Sequence, residues 1–485
     1  MKQKRFSLTK MALLTAVCSI FVVFTACPGL LSDEKQIFSF SFTSPAAVGV
    51  INESAKTIAI TVPAGTNVTA LVPSITISAT ATVSPASGVA MNFTNPVKYT
   101  ITAEDGSAAE YIVTVSEGAS SLEPIELISP ITVNTTLKDL GLLVDYVFKA
   151  NDFLVVKDNA ILTIEPGVTI QFTEIRKGGG LHITAGATIK AEGTESKHIQ
   201  FTGATSEPGS WYGIYIDSKT DNTFTYCDFL NIGSEARTDK GGFQLYSAKA
   251  GFSHCKFTNG LGYGLRAVWD PCEISAFDNN VFEGFENYPP VLFRADNSMN
   301  LLEKFDMTSD FSNNAYAYIE IWPRMPKAAI INQTTVPYYF YQELELSYQL
   351  TINEGVTIYM KRSISGTSGR LIVNGTADKK VKFTRMPGSS DYWNYISFYS
   401  GLRGSVINNC IIEYGGNSSP TPGNILIADA TELTLNNVEL NNSLTHGAYI
   451  RHCEYTLNHT NVTFSNNTEG NVWDDCCGQV LPEFP

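Results

Sequence analysis

The chain has 485 residues, of which 44% are hydrophobic and 16% charged, enough apolar material for more than one packed core. Its 47 acidic residues outnumber 33 lysines and arginines, for a formal charge of −14. An acidic chain of this kind has no electrostatic footprint for nucleic acid.

In chain order, residues 1–26 read as an export signal. Lys2, Lys4, Arg5 and Lys10 form a basic start, and Met11 to Thr25 is the apolar stretch that follows. Val23-Phe24-Thr25-Ala26-Cys27 resembles a lipobox, although Phe24 is bulkier than the usual residue. That resemblance implies cleavage before Cys27, a diacylglycerol on its sulfur and an outer-membrane address; an ordinary secretory signal cut nearby and an uncleaved anchor are the alternatives. No later segment approaches the ~18 to 20 continuous apolar residues of a membrane helix, so the lipid would be the anchor. Residues 27–36 form a tether, in which Ser32-Asp33-Glu34 resembles the signal that carries Bacteroidota lipoproteins to the outer face.

Residues 37–117 alternate apolar and polar side chains in short runs, among them Phe38-Ser39-Phe40-Ser41-Phe42, Ile58-Ala59-Ile60-Thr61-Val62 and Tyr111-Ile112-Val113-Thr114-Val115. Alternation of this kind marks half-buried strands. Asp105-Gly106 supplies a hairpin, and Pro63, Pro73, Pro85 and Pro96 punctuate the connections. The expectation is a β-sandwich of immunoglobulin or cadherin-like type. Residues 118–121, Gly-Ala-Ser-Ser, read as a linker.

The rest, residues 122–485, is written twice. Leu162-Thr163-Ile164-Glu165-Pro166-Gly167-Val168-Thr169-Ile170 returns as Leu350-Thr351-Ile352-Asn353-Glu354-Gly355-Val356-Thr357-Ile358. Phe201-Thr202, Trp211, Cys227 and Gly264 return as Phe383-Thr384, Trp393, Cys410 and Gly447. The repeat halves span about 145–283 and 335–467. Within them, apolar-x-x-(Cys/Asn)-x-apolar recurs every 22 to 28 residues with one longer step, as at Phe224 to Phe229, Phe252 to Phe257 and Ile407 to Ile412. A strand and a turn at that period predict stacked coils of a parallel β-helix. Roughly fourteen coils at about 4.8 Å each would fit in residues 122–485. Asn279-Asn280, Asn313-Asn314, Asn408-Asn409 and Asn436-Asn437 suit the corners, where an amide can bond its neighbour one coil away.

Those strings, with Ile189-Lys190-Ala191-Glu192-Gly193-Thr194 and Trp211-Tyr212-Gly213-Ile214, resemble bacterial right-handed parallel β-helix surface proteins, distant relatives of the pectate-lyase superfamily. The sandwich with its anchor resembles modules of Bacteroidota surface lipoproteins. The resemblance implies the fold class, all-β with a sandwich followed by a right-handed solenoid in two related halves. It does not imply a reaction, because the fold hosts lyases, hydrolases, adhesins and spacers alike.

Candidate chemistry is sparse. Cys227, Cys255 and Cys410 share one repeat slot and read as packing residues; with Cys272, Cys453, Cys476 and Cys477 they are taken as structural thiols, a Cys227–Cys255 disulfide being the alternative. His254 and His459 fall in a turn slot; His446, Arg451, His452 and Glu454 read as solvated surface near the C-terminal end. Lyase chemistry needs clustered acids for calcium with a basic residue nearby, and glycoside hydrolysis needs paired carboxylates. Asp228 is the best single acid, but its slot holds Lys256, Val281, Ala315 and Ile411 on other coils. No catalytic residue, metal ligand or cofactor is therefore assigned, calcium entering only if the protein is a lyase.

Aromatic residues remain. Trp211 and Trp393 are repeat equivalents suited to corner packing. Trp269 with Arg266 and Asp270, and Trp322 with Arg324, have no such equivalents, and an indole beside charged groups suits a sugar ring. Trp322 and Arg324 lie within residues 285–335, where the period breaks and a loop could wall a binding face, and Arg266, Trp269 and Asp270 lie shortly before them; the alternative is that they cap the break. The expectation is a monomeric, non-catalytic surface protein that binds glycan or a neighbouring surface protein. A diverged polysaccharide lyase or glycoside hydrolase, and a rigid spacer, are the alternatives.

Overall fold

The computed structural model describes residues 31–118, 123–150, 152–173, 179–233, 242–269, 272–294, 299–322, 327–417, 423–429, 431–452 and 454–485. The export signal with Cys27, and residues 119–121 of the linker, lie outside the described residues. Two compact units divide the chain, residues 1–121 and 122–485.

Alternation builds the first unit. Strand Thr57–Val62 buries Ile58, Ile60 and Val62 and exposes the residues between them. It runs parallel to Ala108–Glu117, which pairs antiparallel with Val97–Thr102 across the hairpin holding Asp105 and Gly106. These belong to a five-stranded sheet, and Ile37–Thr43 is the middle strand of a three-stranded one. In the core they share, Phe40, Phe42, Phe93 and Tyr99 meet edge to face with centroids 5.1 to 6.4 Å apart.

In the second unit, strands Ile161–Ile164, Thr169–Phe172 and Gly180–Ile183 make one coil. They pair in parallel with Thr188–Glu192, Ile199–Gly203 and Gly213–Ile216 of the next. Register places like on like, Leu162 on Ile189, Ile170 on Phe201 and Leu181 on Ile214, all buried. Phe201, Phe229, Phe257 and Phe282 stack through four coils at 5.3, 4.7 and 4.3 Å. Each such ring taken from water contributes about 1.5–3 kcal/mol, which is what holds coils too thin to fold alone.

Corners follow the expected chemistry in part. Asn279, Asn409 and Asn437 have φ of 53°, 48° and 54°, and Asn461, Asn437 and Asn409 are chained by amide hydrogen bonds of 2.9 and 3.2 Å. Asn280 and Asn314 instead donate to backbone oxygens of the previous coil, Phe252 and Phe282. Cys227, Cys255 and Cys410 are buried free thiols, and burial pushes the Cys227 and Cys410 groups up. Cys476 departs from the expected free thiol, being disulfide-bonded. His446 departs too: its side chain is buried rather than solvated, and burial lowers its pKa despite Glu469 at 3.6 Å.

The break between the halves changes the sheets. The six-stranded sheet ends at Glu273–Asp278 and the seven-stranded sheet at Val281–Glu283. Helix Met299–Lys304 packs between Glu273–Asp278 and Ala329–Ile331, with Leu302 buried beneath it. The third sheet runs on without interruption, from Phe153–Val156 through Val291–Arg294, Ile319–Trp322 and Tyr338–Phe340 to Thr357–Met360 and Val381–Thr384. A fresh seven-stranded sheet starts at Leu344–Leu346. Equal sequence consequently does not mean the same sheet. Thr169–Phe172 lies in the sheet that stops, while its repeat counterpart Thr357–Met360 lies in the one that continues.

Candidate functional site

On the uninterrupted sheet, alternation points every second side chain outward. Ile319 and Ile321 are core, so Glu320 and Trp322 face out; Leu265 and Ala267 are core, so Arg266 faces out. Register then aligns Gln244, Arg266, Leu292, Glu320, Tyr339 and Tyr359 in one row across successive coils. The row crosses the break between the halves.

Of the residues singled out from sequence, Arg266 and Trp322 are brought to this one face, two coils apart. The Arg266 guanidinium donates to the Gln244 amide oxygen at 3.2 Å. Trp269 ends strand Leu265–Trp269, paired with Tyr246; its side chain, Asp270 and Arg324 lie outside the described residues. The Trp322 indole N–H donates to Glu320 Oε1 at 3.1 Å. Burial raises the Glu320 carboxyl above its ordinary value, and the indole N–H pulls the other way. Tyrosines surround it. Tyr318 and Tyr339 meet at 5.2 Å, Tyr339 and Tyr341 at 6.1 Å, and Tyr263 and Tyr288 at 5.0 Å. Burial first, then the Glu320 charge, pushes the Tyr339 phenol up to about 12.

Beyond Tyr339 the row drops into a groove. A cleft of about 620 Å³ is lined by Thr357, Tyr359, Lys382, Thr384, Arg385 and Tyr414, among others. A smaller hollow of about 220 Å³ shares Arg385 and Met386 with it and reaches back to Tyr339. The size suits a small ligand or a few sugar units. The segment after Thr384 forms the wall. Its Arg385 guanidinium lies 4.0 Å from the Tyr414 ring centre and 5.2 Å from that of Tyr392, a cation–π clamp. It donates to the Ser390 backbone oxygen at 3.2 Å. Beneath, Glu413 is held by Lys382 at 2.6 Å and by the Thr384 hydroxyl at 2.9 Å.

Sequence reasoning missed Glu320, Tyr339, Tyr359, Arg385 and Tyr414. The signal was present in the repeat itself. The eight residues between Thr202 and Trp211 match the eight between Thr384 and Trp393. In that alignment Gly203 becomes Arg385, Ser210 becomes Tyr392, Leu230 becomes Glu413 and Asn231 becomes Tyr414.

In class, the chain joins a small β-sandwich to a parallel β-helix that carries an aromatic groove on its longest sheet. Residues 37–115 match the family model described as SGBP, N-terminal, the leading module of Bacteroidota surface glycan-binding proteins, and residues 134–242 match the pectate-lyase like beta helix domain. No curated protein matches the chain. Among solved structures, a candidate glycoside hydrolase from Bacteroides thetaiotaomicron is 30% identical over 21% of this chain and 29% of its own, with a TM-score of 0.17. A candidate secreted protein from Bacteroides fragilis is 21% identical over 18% of this chain and 97% of its own, with a TM-score of 0.15. This chain therefore spans under a third of the length of the first of these structures.

Proposed function

We propose that this is a non-catalytic glycan-binding protein of the Bacteroidota cell surface, tethered to the outer membrane through a lipid on Cys27. The observation that carries the reading is the tyrosine-flanked outward row from Arg266 through Glu320 and Tyr339 to Tyr359, which opens into a cleft. Aromatic faces cover the C–H side of a sugar while charged and hydroxyl groups take its oxygens. The matched N-terminal module supports the same reading, as does the address implied by the export signal.

An enzyme has one observation in its favour, the raised Glu320 carboxyl, a form able to donate a proton. Glycoside hydrolysis needs a partner carboxylate across the bond. The described carboxylates beside the groove, Asp391 and Glu413, are each held by a lysine, at 3.1 and 2.6 Å. Incubation with a panel of polysaccharides separates the readings. Retention without new reducing or unsaturated ends is expected; new ends make the protein an enzyme, and no retention leaves a spacer. Cys27→Ala is expected to release the protein from membranes, and a variant that stays bound would remove the lipid anchor from the proposal.

A further inference from the structure

The cleft beside Tyr359 has a charge balance that selects among glycans. Among the described residues, two cations line it, Lys382 and Arg385, and no carboxylate does. Lys382 is neutralised from below by Glu413 at 2.6 Å. Asp391, at the rim of the adjoining hollow, is taken by Lys361 at 3.1 Å. Arg385 has no carboxylate partner among the described residues. Its contacts are two tyrosine rings and one backbone oxygen.

A guanidinium carries five N–H donors in a planar fork that matches a planar or tetrahedral oxyanion. The Tyr414 ring lies against the guanidinium and the Tyr392 ring stands to one side, the two rings 6.2 Å apart and tilted by 60°, which restrains the side chain and reduces the freedom it has left to lose on binding. One bond to Ser390 leaves further N–H groups for a ligand, in a cleft that also offers the hydroxyls of Thr357 and Tyr359. We infer that this cleft is a subsite for a sugar bearing one anionic group, a carboxylate or a sulfate ester, with Arg385 as the residue that sets the preference. The inference rests on the glycan-binding reading.

Calorimetry on the full mature chain tests it with matched pairs: uronate oligosaccharides against their carboxyl-reduced forms, and sulfated against desulfated ones. At least one anionic member is expected to bind tenfold or more tightly than its neutral partner, and to weaken as salt rises. Which pair shows the difference identifies the group. Arg385→Gln is expected to erase the preference, so that the anionic and neutral members of the pair bind alike. Arg385→Gly, the residue that the first copy carries at this corner, should do the same with an unchanged melting temperature. Equal binding of both members, or a preference that survives in both variants, overturns the subsite and leaves the glycan reading standing. Failure of every sugar to bind overturns both.

Discussion

Two corners of this solenoid begin and end alike and differ in between. After Phe201-Thr202 the chain passes Gly203 and arrives eight residues later at Trp211; after Phe383-Thr384 it passes Arg385 and arrives at Trp393. Both indoles are fully buried, and both donate at 2.7 Å to a backbone oxygen of the next coil, Leu230 in one case and Glu413 in the other. What lies between has diverged. A Cβ on Gly203 would sit 2.0 Å from Ser210 Oγ and 2.7 Å from the Ser210 backbone carbon, so the first segment is folded shut against its own start. At the second, Arg385 occupies that position and is flanked by Tyr392 and Tyr414, beside an open cleft. A stacked coil needs its inward residues and its corner anchor; the residues between those two points are free to change, and here they have been exchanged for the wall of a cleft.

The anchor is where the corners should behave identically, and it carries the largest effect. Trp211→Ala and Trp393→Ala should each cost about 3–5 kcal/mol, the usual range for a buried large aromatic, read as equal drops in urea midpoint. Unequal drops would mean that the two indoles are not equivalent. Gly203→Arg comes next. It forces a side chain into backbone and should cost about 1–3 kcal/mol, whereas Arg385→Gly should scarcely move the melting temperature. If both substitutions are tolerated, the shut and open segments are not a real contrast.

A third pair concerns binding. Trp322→Ala and Tyr339→Ala should each weaken a retained glycan by about 1–3 kcal/mol, as loss of an anchoring aromatic does. Gln171→Ala, at the first-copy counterpart of Tyr359, should leave affinity unchanged by the same calorimetry. Wild-type binding by both aromatic variants would move the site off this face.

The coil was readable because burial imposes a period: Leu162, Ile170 and Phe201 recur as Leu350, Ile358 and Phe383, since each must stack on its like. The face on which each strand would lie was not readable. Thr169–Phe172 and Thr357–Met360 are written nearly alike, yet across the irregular stretch that holds helix Met299–Lys304 the second lies in another sheet. Sequence period reports the inward side chains alone, so it cannot say how coils phase across an irregular stretch. The site was half visible for the same reason. Arg266 and Trp322 drew notice as residue types, while Glu320, Tyr339 and Tyr359 form a row only once pairing sets them one coil apart. Arg385 needed a comparison of what the two copies do not share.

The smallest expected effect sharpens the contrast between the outward row and the core beneath it. Burial raises the Glu320 carboxyl above its ordinary value of 4.5, so above that pH the folded chain keeps a proton that the unfolded chain has lost. Stability then falls as pH rises from 4.5 through the folded value, because the folded state binds more protons across that window. Below 4.5 both states are protonated and the slope vanishes. Glu320→Gln should flatten the curve in this window and leave other regions of it unchanged. Trp322→Phe removes the indole N–H that favours the carboxylate, so it should push the folded value higher and extend the falling limb upward in pH. Urea midpoints at half-unit pH steps read both effects. A Glu320→Gln curve that runs parallel to wild type across the window, or a Trp322→Phe limb that shortens relative to wild type, would mean that Glu320 sits in water rather than under its ring of tyrosines, and the row would lose its centre.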